Sequence, residues 1–475
     1  MERIYFDKQI FSFLFKNDAP VYQKLLSDLN LYKNSLLFFY SHAHLLDLKN
    51  DTTDTKYAEL DFMETIVGDN YLSYNAVEKR TSCYLSKPHE AFADVDKADE
   101  PISFSDLFDI DLSSATEDQK AKIAEFKDLF NNHKIDFGFS QIANLPEELI
   151  KPLKKVLPVG VPSMTLMEWT EHFMGIFKSI EEDKTVYKGL RNVISKHINN
   201  GKFNSDFDNI SFNIDLKNSV LQKSFIEYIN SFLNPNGDKL ITNYDFYVNA
   251  YFALDFLGIS KEPSKTVRFR NVLNDSFHSY YGAFCDYVVS EDNGFLKKTK
   301  TMYKLLNIHT KVLHINEFTH SLKLIADAEE KNISTFFEHL FNDLKNGIIL
   351  NSKPQPEFNS HTTTIKPHQN YLGYFNVIYC IKEDNQYYIY LSRNTQNYSN
   401  FTCFREYQGV VNNAIKVFST DSYLEGEFVW DKEIKEINEN IWNGRIWKFN
   451  GFKIQLGINK ETTKLSLLIN PNEND

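Results

Sequence analysis

Apolar residues recur with two different periods along this chain, and the change of period divides it. Up to about residue 350, helical spacing alternates with short, largely β-branched or aromatic runs at residues 3–6, 36–40, 287–289 and 311–315. Short, continuously apolar runs of this kind are typical of strands buried on both faces of a parallel sheet. The first part of the chain is therefore predicted to be α/β, with a parallel sheet at its centre.

Helices are predicted wherever apolar residues repeat every three to four positions. The predicted helices cover 19–32, 59–67, 117–132, 146–156, 165–182, 185–199, 216–232 and 244–257. An acidic, irregular stretch at 94–114 is expected to lie on the surface. The strand-like runs fall before and after this helical region, so we expect a core formed by 1–90 and 265–350 with a helical insertion at 91–264.

Beyond residue 350 the pattern changes to that of β structure. Residues 351–369 are polar and contain three prolines, which predicts a linker. Asn450-Gly451 lies between two alternating runs, a strong β-hairpin signal. We therefore expect a mostly β domain at 370–475.

Composition narrows the classes of function. The net charge of -12 argues against a protein that coats nucleic acid non-specifically, because phosphate contacts need lysine and arginine. The four cysteines lie far apart without CxxC spacing, which indicates reduced thiols rather than disulfides or a zinc site. No apolar run is long enough for a membrane span or a leader, so a cytoplasmic protein without membrane contact is expected.

Four acids lie where a parallel sheet would gather them. Asp7 ends the first strand, Asp47 lies in the helix after the second, Asp275 is in the helix before a late strand and Asp292 follows that strand. Chemistry in open α/β sheets collects at the carboxyl ends of strands. Clustered carboxylates are stable together when a divalent cation lies between them, and oxygen ligands suit Mg²⁺ or Mn²⁺.

The order and placement of these acids resemble the PIN-like (PilT N-terminus) nuclease family. The matching segments are IYFDKQ with Asp7, FYSHAHLLDL with Asp47, and NDSFHSYYGAFCDYVVSEDNGFLKK with Asp275 and Asp292. The resemblance covers about the first 90 residues and residues 265–325, and it departs from the family at Lys8 and Gln9, where Thr-Asn is usual. It implies a PIN-like α/β core and a metal-dependent nuclease, with RNA favoured over DNA as substrate.

Each acid also has a plainer interpretation. Asp7 could cap the next turn. Asp47 could lie on a solvated helix face, and we weigh this interpretation equally with a role as a ligand. Asp275 would be costly to bury without a partner, which favours a ligand role. Asp292 is a helix N-cap, a ligand, or both.

Three further residues are predicted to contact substrate. Lys297 and Lys298 belong to a basic helix near Asp292, and His44 shares a helix face with Asp47. The alternatives are a solvated face for the lysines and ordinary packing for the histidine.

The prediction as a whole is a Mg²⁺- or Mn²⁺-dependent endoribonuclease in which Asp7, Asp47, Asp275 and Asp292 bind the metal. A toxin or defence effector is a further hypothesis, as is a regulatory protein partner or a homo-oligomer. The runner-up is a catalytically silent PIN-like scaffold, or a nucleic-acid-binding module, that acts through its C-terminal β domain.

Overall fold

The structure, a computed structural model, describes residues 1–33, 35–97, 116–135, 147–155, 157–206, 209–261, 268–327, 330–355, 359–383, 386–395, 397–449, 451–460 and 462–471. Most of the predicted acidic stretch at 94–114 lies outside these residues. Two sheets organise the described part, one formed by strands between residues 2 and 314 and the other by strands between residues 348 and 471, and a two-stranded pair accompanies them.

A six-stranded sheet forms the centre of the first unit. Its strands are β1 (Glu2–Phe6), β2 (Leu36–Ser41), β3 (Asn70–Asn75), β4 (Arg80–Leu85), β7 (Tyr287–Ser290) and β8 (Lys311–His314), in the order β4-β3-β2-β1-β7-β8. Neighbouring strands run parallel from β3 to β8, and β4 pairs antiparallel with β3. The predicted parallel sheet is thus a mixed one with an antiparallel edge strand. Strands β3 and β4 were not predicted, because their polar, half-exposed residues lack an apolar run.

Helices surround this sheet. Those before the late strands are α1 (Lys8–Lys16), α2 (Pro20–Tyr32), α3 (His42–Lys49), α4 (Thr55–Val67), α5 (Pro88–Lys97), α6 (Glu117–Asn132), α7 (Glu147–Leu153), α8 (Leu166–Glu182), α9 (Lys184–Ile198), α10 (Phe212–Asp215), α11 (Phe225–Leu233) and α12 (Asn243–Phe256). The short pair β5 (Lys134–Ile135) and β6 (Met164–Thr165) lies among them. The chain then continues through α13 (Phe269–Gly282), α14 (Asn293–Leu305) and α15 (Ile315–Asp327).

The predicted helices are found with shifts of a few residues at their ends, apart from the one predicted at 216–232. There a short 3₁₀ turn at Leu216–Asn218 precedes a helix that begins only at Phe225, after the capping residue Ser224. Part of the predicted insertion belongs to the core, since Tyr247 and Tyr251 of α12 pack in one apolar cluster with Tyr5 and Phe39 of the sheet.

The second unit contains a seven-stranded antiparallel sheet. Its strands are β9 (Ile348–Gln355), β10 (Ser360–Lys366), β11 (Val377–Glu383), β12 (Gln386–Ser392), β13 (Arg445–Phe449), β14 (Phe452–Asn459) and β15 (Lys464–Pro471), in the order β13-β14-β15-β12-β11-β10-β9. Helices α16 (Ile333–Asn346), α17 (Phe404–Phe418) and α18 (Trp430–Asn438) pack against it. The hairpin predicted around Gly451 joins β13 and β14.

The predicted linker at 351–369 is wrong. Most of this stretch belongs to β9 and β10, which pair antiparallel at the edge of the second sheet. Every residue of β9 is exposed, so the strand carries no alternation of apolar and polar residues for a sequence pattern to reveal. Pro354 fits there because an edge strand tolerates a missing backbone donor. The second unit also begins earlier than predicted, since Phe336 and Leu340 of α16 pack in its core.

Buried charges join the two units. The Arg3 guanidinium donates to both carboxylate oxygens of Glu406 at 2.7 Å and lies over the Phe401 ring. Arg393 donates to Asp286 at 2.9 Å, and Arg405 of α17 pairs with Asp69. The second unit is therefore attached to the amino ends of β1 and β7.

The fold is mixed α/β with an additional antiparallel β domain, as predicted at that level. The PIN-like character of the core stays a prediction. None of the described helices combines the length and hydropathy that crossing a bilayer requires.

Candidate functional site at the carboxyl edge of the parallel strands

The carboxyl ends of β1 and β7 lie side by side at the point where the strand order reverses. From β1 the chain builds β2 and β3 on one side of the sheet and β7 and β8 on the other. Such a switch point leaves a crevice at the carboxyl edge, where open α/β sheets bind ligands. Phe6 pairs with Val289, and the Asp7 amide donates to the Val289 carbonyl at 2.9 Å, so Asp7 stands beside Ser290.

Ser290 links two of the predicted acids. Its hydroxyl donates to Asp7 Oδ2 at 2.7 Å and accepts from the Asp292 amide at 3.0 Å. Asp292 Oδ1 accepts from the Phe295 amide at 2.9 Å, so Asp292 is the N-cap of α14. The predicted cap is confirmed. The Asp292 side chain is exposed, and its second carboxylate oxygen takes no part in the capping bond.

Asp47 is held by two side chains of α13. Asn274 Nδ2 donates to Asp47 Oδ1 at 2.6 Å, and His278 Nε2 donates to Asp47 Oδ2 at 3.1 Å. Asn274 and His278 are four residues apart, so they lie on one side of the helix. The Asp47 side chain remains 34% exposed, whereas that of His278 is 2% exposed. The carboxylate thus faces solvent while its partners lie beneath it.

Electrostatics connect Asp7 with this pair. Burial raises the pKa of Asp7, and the neighbouring Asp47 carboxylate raises it further, while His278 and the Ser290 hydrogen bond act in the opposite direction. Like charges influence each other in this way only at short range. Among the described residues, no lysine or arginine forms an ion pair with Asp7. The charged neighbour that favours ionised Asp7 is therefore His278, the same residue that donates to Asp47.

His44 does not have the exposure that a substrate contact needs. It is fully buried, accepts from the Ser41 amide through Nδ1 at 3.0 Å, and donates from Nε2 to the Phe6 carbonyl at 2.7 Å. Burial lowers the pKa of His44 well below its ordinary value, with the neighbouring His278 adding to the shift. The packing alternative is the one that these contacts support, because the ring ties α3 to the end of β1.

The two predicted lysines lie in different environments. Lys298 is 1% exposed, and its ammonium lies 5.2 Å from the centre of the Tyr251 ring. It packs between α14 and α12, so its burial does not support a substrate contact. Lys297 is half-buried on the neighbouring side of α14 and stays a candidate.

Asp275 lies on α13 between Asn274 and His278 and is half-buried. Its role as a ligand stays a prediction. Across the described residues there is no group of three or more histidine, cysteine, aspartate or glutamate side chains placed to hold a metal ion. The structure therefore brings Asp7 within electrostatic range of Asp47 and links it to Asp292 through Ser290, but among the described residues it does not gather the four acids into one ligand group.

Sequence reasoning missed most of the residues that hold the acids. Asn274, Ser290 and Tyr5 were not predicted, whereas His278 was considered as a residue that could orient a carboxylate, with packing as the preferred interpretation. A signal existed for two of them, because Asn274 and His278 have the spacing at which one helix presents two side chains to the same partner. Nothing in the sequence indicates that this partner is Asp47, which lies more than 200 positions upstream.

Comparisons with protein-family models, with curated proteins and with solved structures find no match to this chain. The resemblance to PIN-like nucleases stays a prediction that depends on the motifs quoted above.

Proposed function

We propose that the chain is a divalent-cation-dependent nuclease that hydrolyses phosphodiester bonds, with single-stranded RNA as the first substrate class. The observation that carries the proposal is the location of Asp7 and Asp47 at the switch point, where burial raises the pKa of Asp7 and Asp47 adds to the shift, while His278 and the Ser290 hydrogen bond act against it. An acid whose charge is disfavoured in a crevice is a frequent feature of functional sites.

The residues present fit a cation held by few protein ligands. Mg²⁺ is commonly bound through one or two carboxylates, with water and substrate phosphate completing its shell. Asp7 and Asp47 are the carboxylates that would hold it, and Asp292 has one oxygen that its capping bond does not use. When bound, Mg²⁺ or Mn²⁺ supplies Lewis-acid polarisation of the phosphate and neutralises its charge.

The chain's own residues supply orientation. Ser290 fixes one oxygen of Asp7, and Asn274 with His278 fixes both oxygens of Asp47. Lys297, at the start of α14, is the candidate for the substrate phosphate. Because a phosphodiester carries negative charge, a crevice in which neither Asp7 nor Asp47 pairs with a lysine or arginine of the described residues binds it only when a cation is present, which makes the activity metal-dependent.

Cleavage of a fluorescently labelled single-stranded RNA, and of the DNA of the same sequence, tests the proposal. We expect the full chain to cleave in Mg²⁺ or Mn²⁺ and not in EDTA. Asp7→Asn and Asp47→Asn should each lower the rate by about 100-fold or more, because losing a direct ligand costs at least as much as losing its support. The matched control is Asp431→Asn, an exposed acid of α18 that should leave the rate unchanged.

Failure has two distinct forms. If the wild-type chain cleaves neither the RNA nor the DNA in Mg²⁺ or Mn²⁺, the proposed activity is wrong. If the wild type cleaves and Asp7→Asn cleaves equally well, the activity exists but its site is elsewhere.

One observation favours a second candidate, a binding role for the C-terminal domain. Ile348, Ile349 and Leu350 of the edge strand β9 are 62%, 64% and 52% exposed. Exposed aliphatic residues are unusual on an edge strand whose outer side pairs with no other described strand. A chain that does not cleave, and whose binding of RNA or of another protein is lost on Ile349→Lys, would support this candidate instead.

A further inference from the structure

The support beneath Asp47 forms a continuous hydrogen-bonded chain into the core. His278 donates to Asp47 from Nε2, and its Nδ1 lies 2.9 Å from the Tyr5 hydroxyl. That hydroxyl lies 2.7 Å from Ser41 Oγ at the end of β2. Tyr5 and Ser41 are fully buried. The orientation of the Asp47 carboxylate is therefore set by groups from α13, β1 and β2 together.

Asn274 anchors the other oxygen in the same way. Its amide nitrogen donates to Asp47 Oδ1 and also lies 3.3 Å from the Ala43 carbonyl, one turn earlier on α3. Asn274 is 6% exposed, and its amide oxygen has no partner in the described structure. Leaving a buried amide oxygen without a hydrogen-bond donor lowers the stability of the fold. Stability alone therefore does not explain why Asn274 is placed to donate to the partly exposed Asp47 carboxylate.

Neither oxygen of Asp47 can turn without breaking one of these bonds. Buried partners that lock the rotamer of a functional side chain, and that are locked themselves by further hydrogen bonds, are the usual means of holding a reactive group in place. We infer that His278, Tyr5 and Asn274 are positioning residues that fix the Asp47 carboxylate at the reacting edge, an inference that rests on the proposed nuclease function.

The competing explanation is that the same bonds only fasten α13 to α3. A fastening role predicts that any loss of activity follows the loss of stability. A positioning role predicts a loss in the turnover number and in cation affinity that stability does not explain.

The full-length chain and its variants separate the two roles. His278→Ala removes the donor to Asp47, and His278→Gln keeps an amide donor near the position of Nε2. Tyr5→Phe removes only the hydroxyl beneath His278. The matched control is Ser279→Ala, on the same helix as His278. It removes the buried 2.6 Å contact between Ser279 and the Tyr247 hydroxyl of α12 and leaves the contacts of Asp47 in place.

We expect His278→Ala to lower kcat for the labelled RNA by about 10- to 100-fold with a small change in KM, the range seen when support of a ligand is lost. Mn²⁺ binding, measured by the electron paramagnetic resonance of the free ion, should weaken by a similar factor. His278→Gln should recover most of both quantities, and Tyr5→Phe should lose about three- to tenfold. Ser279→Ala should lower Tm and leave kcat and Mn²⁺ affinity unchanged.

Three results would overturn the inference: unchanged kcat and Mn²⁺ affinity in His278→Ala, no recovery in His278→Gln, or losses in Ser279→Ala as large as those in His278→Ala. Because Mn²⁺ affinity is measured separately from cleavage, failure of the nuclease proposal can be distinguished from failure of the positioning inference. A wild type that binds Mn²⁺ without cleaving RNA contradicts the activity, and His278→Ala then still tests the positioning. A wild type that binds no Mn²⁺ contradicts both.

Discussion

The two ends of β1 and β7 hold acids in opposite electrostatic settings. At the amino ends, Asp286 and Glu406 are paired with Arg393 and Arg3. Burial alone would raise the pKa of each of these acids, but the guanidinium groups hold both pKa values below the ordinary range. At the carboxyl ends, burial raises the pKa of Asp7 and Asp47 adds to the shift, while His278 and the Ser290 hydrogen bond act against it. Glu2 at the amino end of β1 also has a raised pKa, of about 7, because of burial and Asp286, but Arg393 acts against that shift. The same strands thus present an edge whose acids face arginines, the neutralised edge, and an edge where no lysine or arginine of the described residues pairs with Asp7, the acidic edge.

This difference supports a separate role for each edge. The neutralised edge carries the contact between the two units, where a buried charge needs a partner. The acidic edge coincides with the switch point of the sheet, where ligands bind in open α/β folds. A cleft of about 770 Å³ does lie at the amino edge, lined by Glu2, Asp286 and Lys311 among others. We propose the opposite edge for the chemistry because Glu2 and Asp286 at the amino edge face Arg393, whereas no lysine or arginine of the described residues pairs with Asp7.

The largest expected effect lies at the neutralised edge. Glu406→Gln removes the carboxylate that pairs with the buried Arg3, while Arg393 keeps Asp286, so the free energy of unfolding should fall by about 3–5 kcal/mol. Urea unfolding followed by circular dichroism measures it, with Glu439→Gln, an exposed acid near the end of α18, as the control. Equal stability of Glu406→Gln and the control would remove the contrast between the two edges.

A smaller effect of opposite sign is expected at the acidic edge. Asp7→Asn removes a charge that burial disfavours, so the variant should be as stable as the wild type or more stable by up to about 1 kcal/mol, although it is inactive. The same urea unfolding experiment applies, with Asp431→Asn as the control. A loss of 2 kcal/mol or more, roughly the cost of an unpaired buried group, would mean that Asp7 is a structural residue.

The pH dependence of that difference gives a finer test. The pKa of Asp7 is higher in the folded chain than its ordinary value, so ionising Asp7 costs the folded state stability. This cost is absent at acidic pH and grows as the pH rises through the raised pKa. The stability of Asp7→Asn relative to the wild type should therefore increase from about pH 4 towards neutral pH. A difference that is constant, or that decreases, would contradict the raised pKa.

Local patterns were enough to predict the strands that carry the acids. The apolar runs ending at Phe6 and near Ser290, and the capping residue Asp292, are short-range signals that the structure bears out. They placed Asp7 and Asp292 at strand ends without any knowledge of the strand order.

Long-range pairing could not be predicted in this way. The burial of Lys298 depends on Tyr251 of α12, and the contacts of Asp47 depend on α13, more than 200 residues away. A lysine on an amphipathic helix and an acid after a strand have the same local pattern whether they are buried or solvated. The edge hairpin of β9 and β10 was missed for a related reason, because exposure on both faces removes the alternation by which strands are recognised.

Equilibrium binding of Mn²⁺ to the wild type, Asp7→Asn and Asp431→Asn tests the central claim, that the acidic edge is a cation site, most directly. The account predicts that the wild type and Asp431→Asn bind Mn²⁺ alike and that Asp7→Asn binds at least about tenfold more weakly. Identical binding curves for all three chains, or no binding by the wild type, would contradict it.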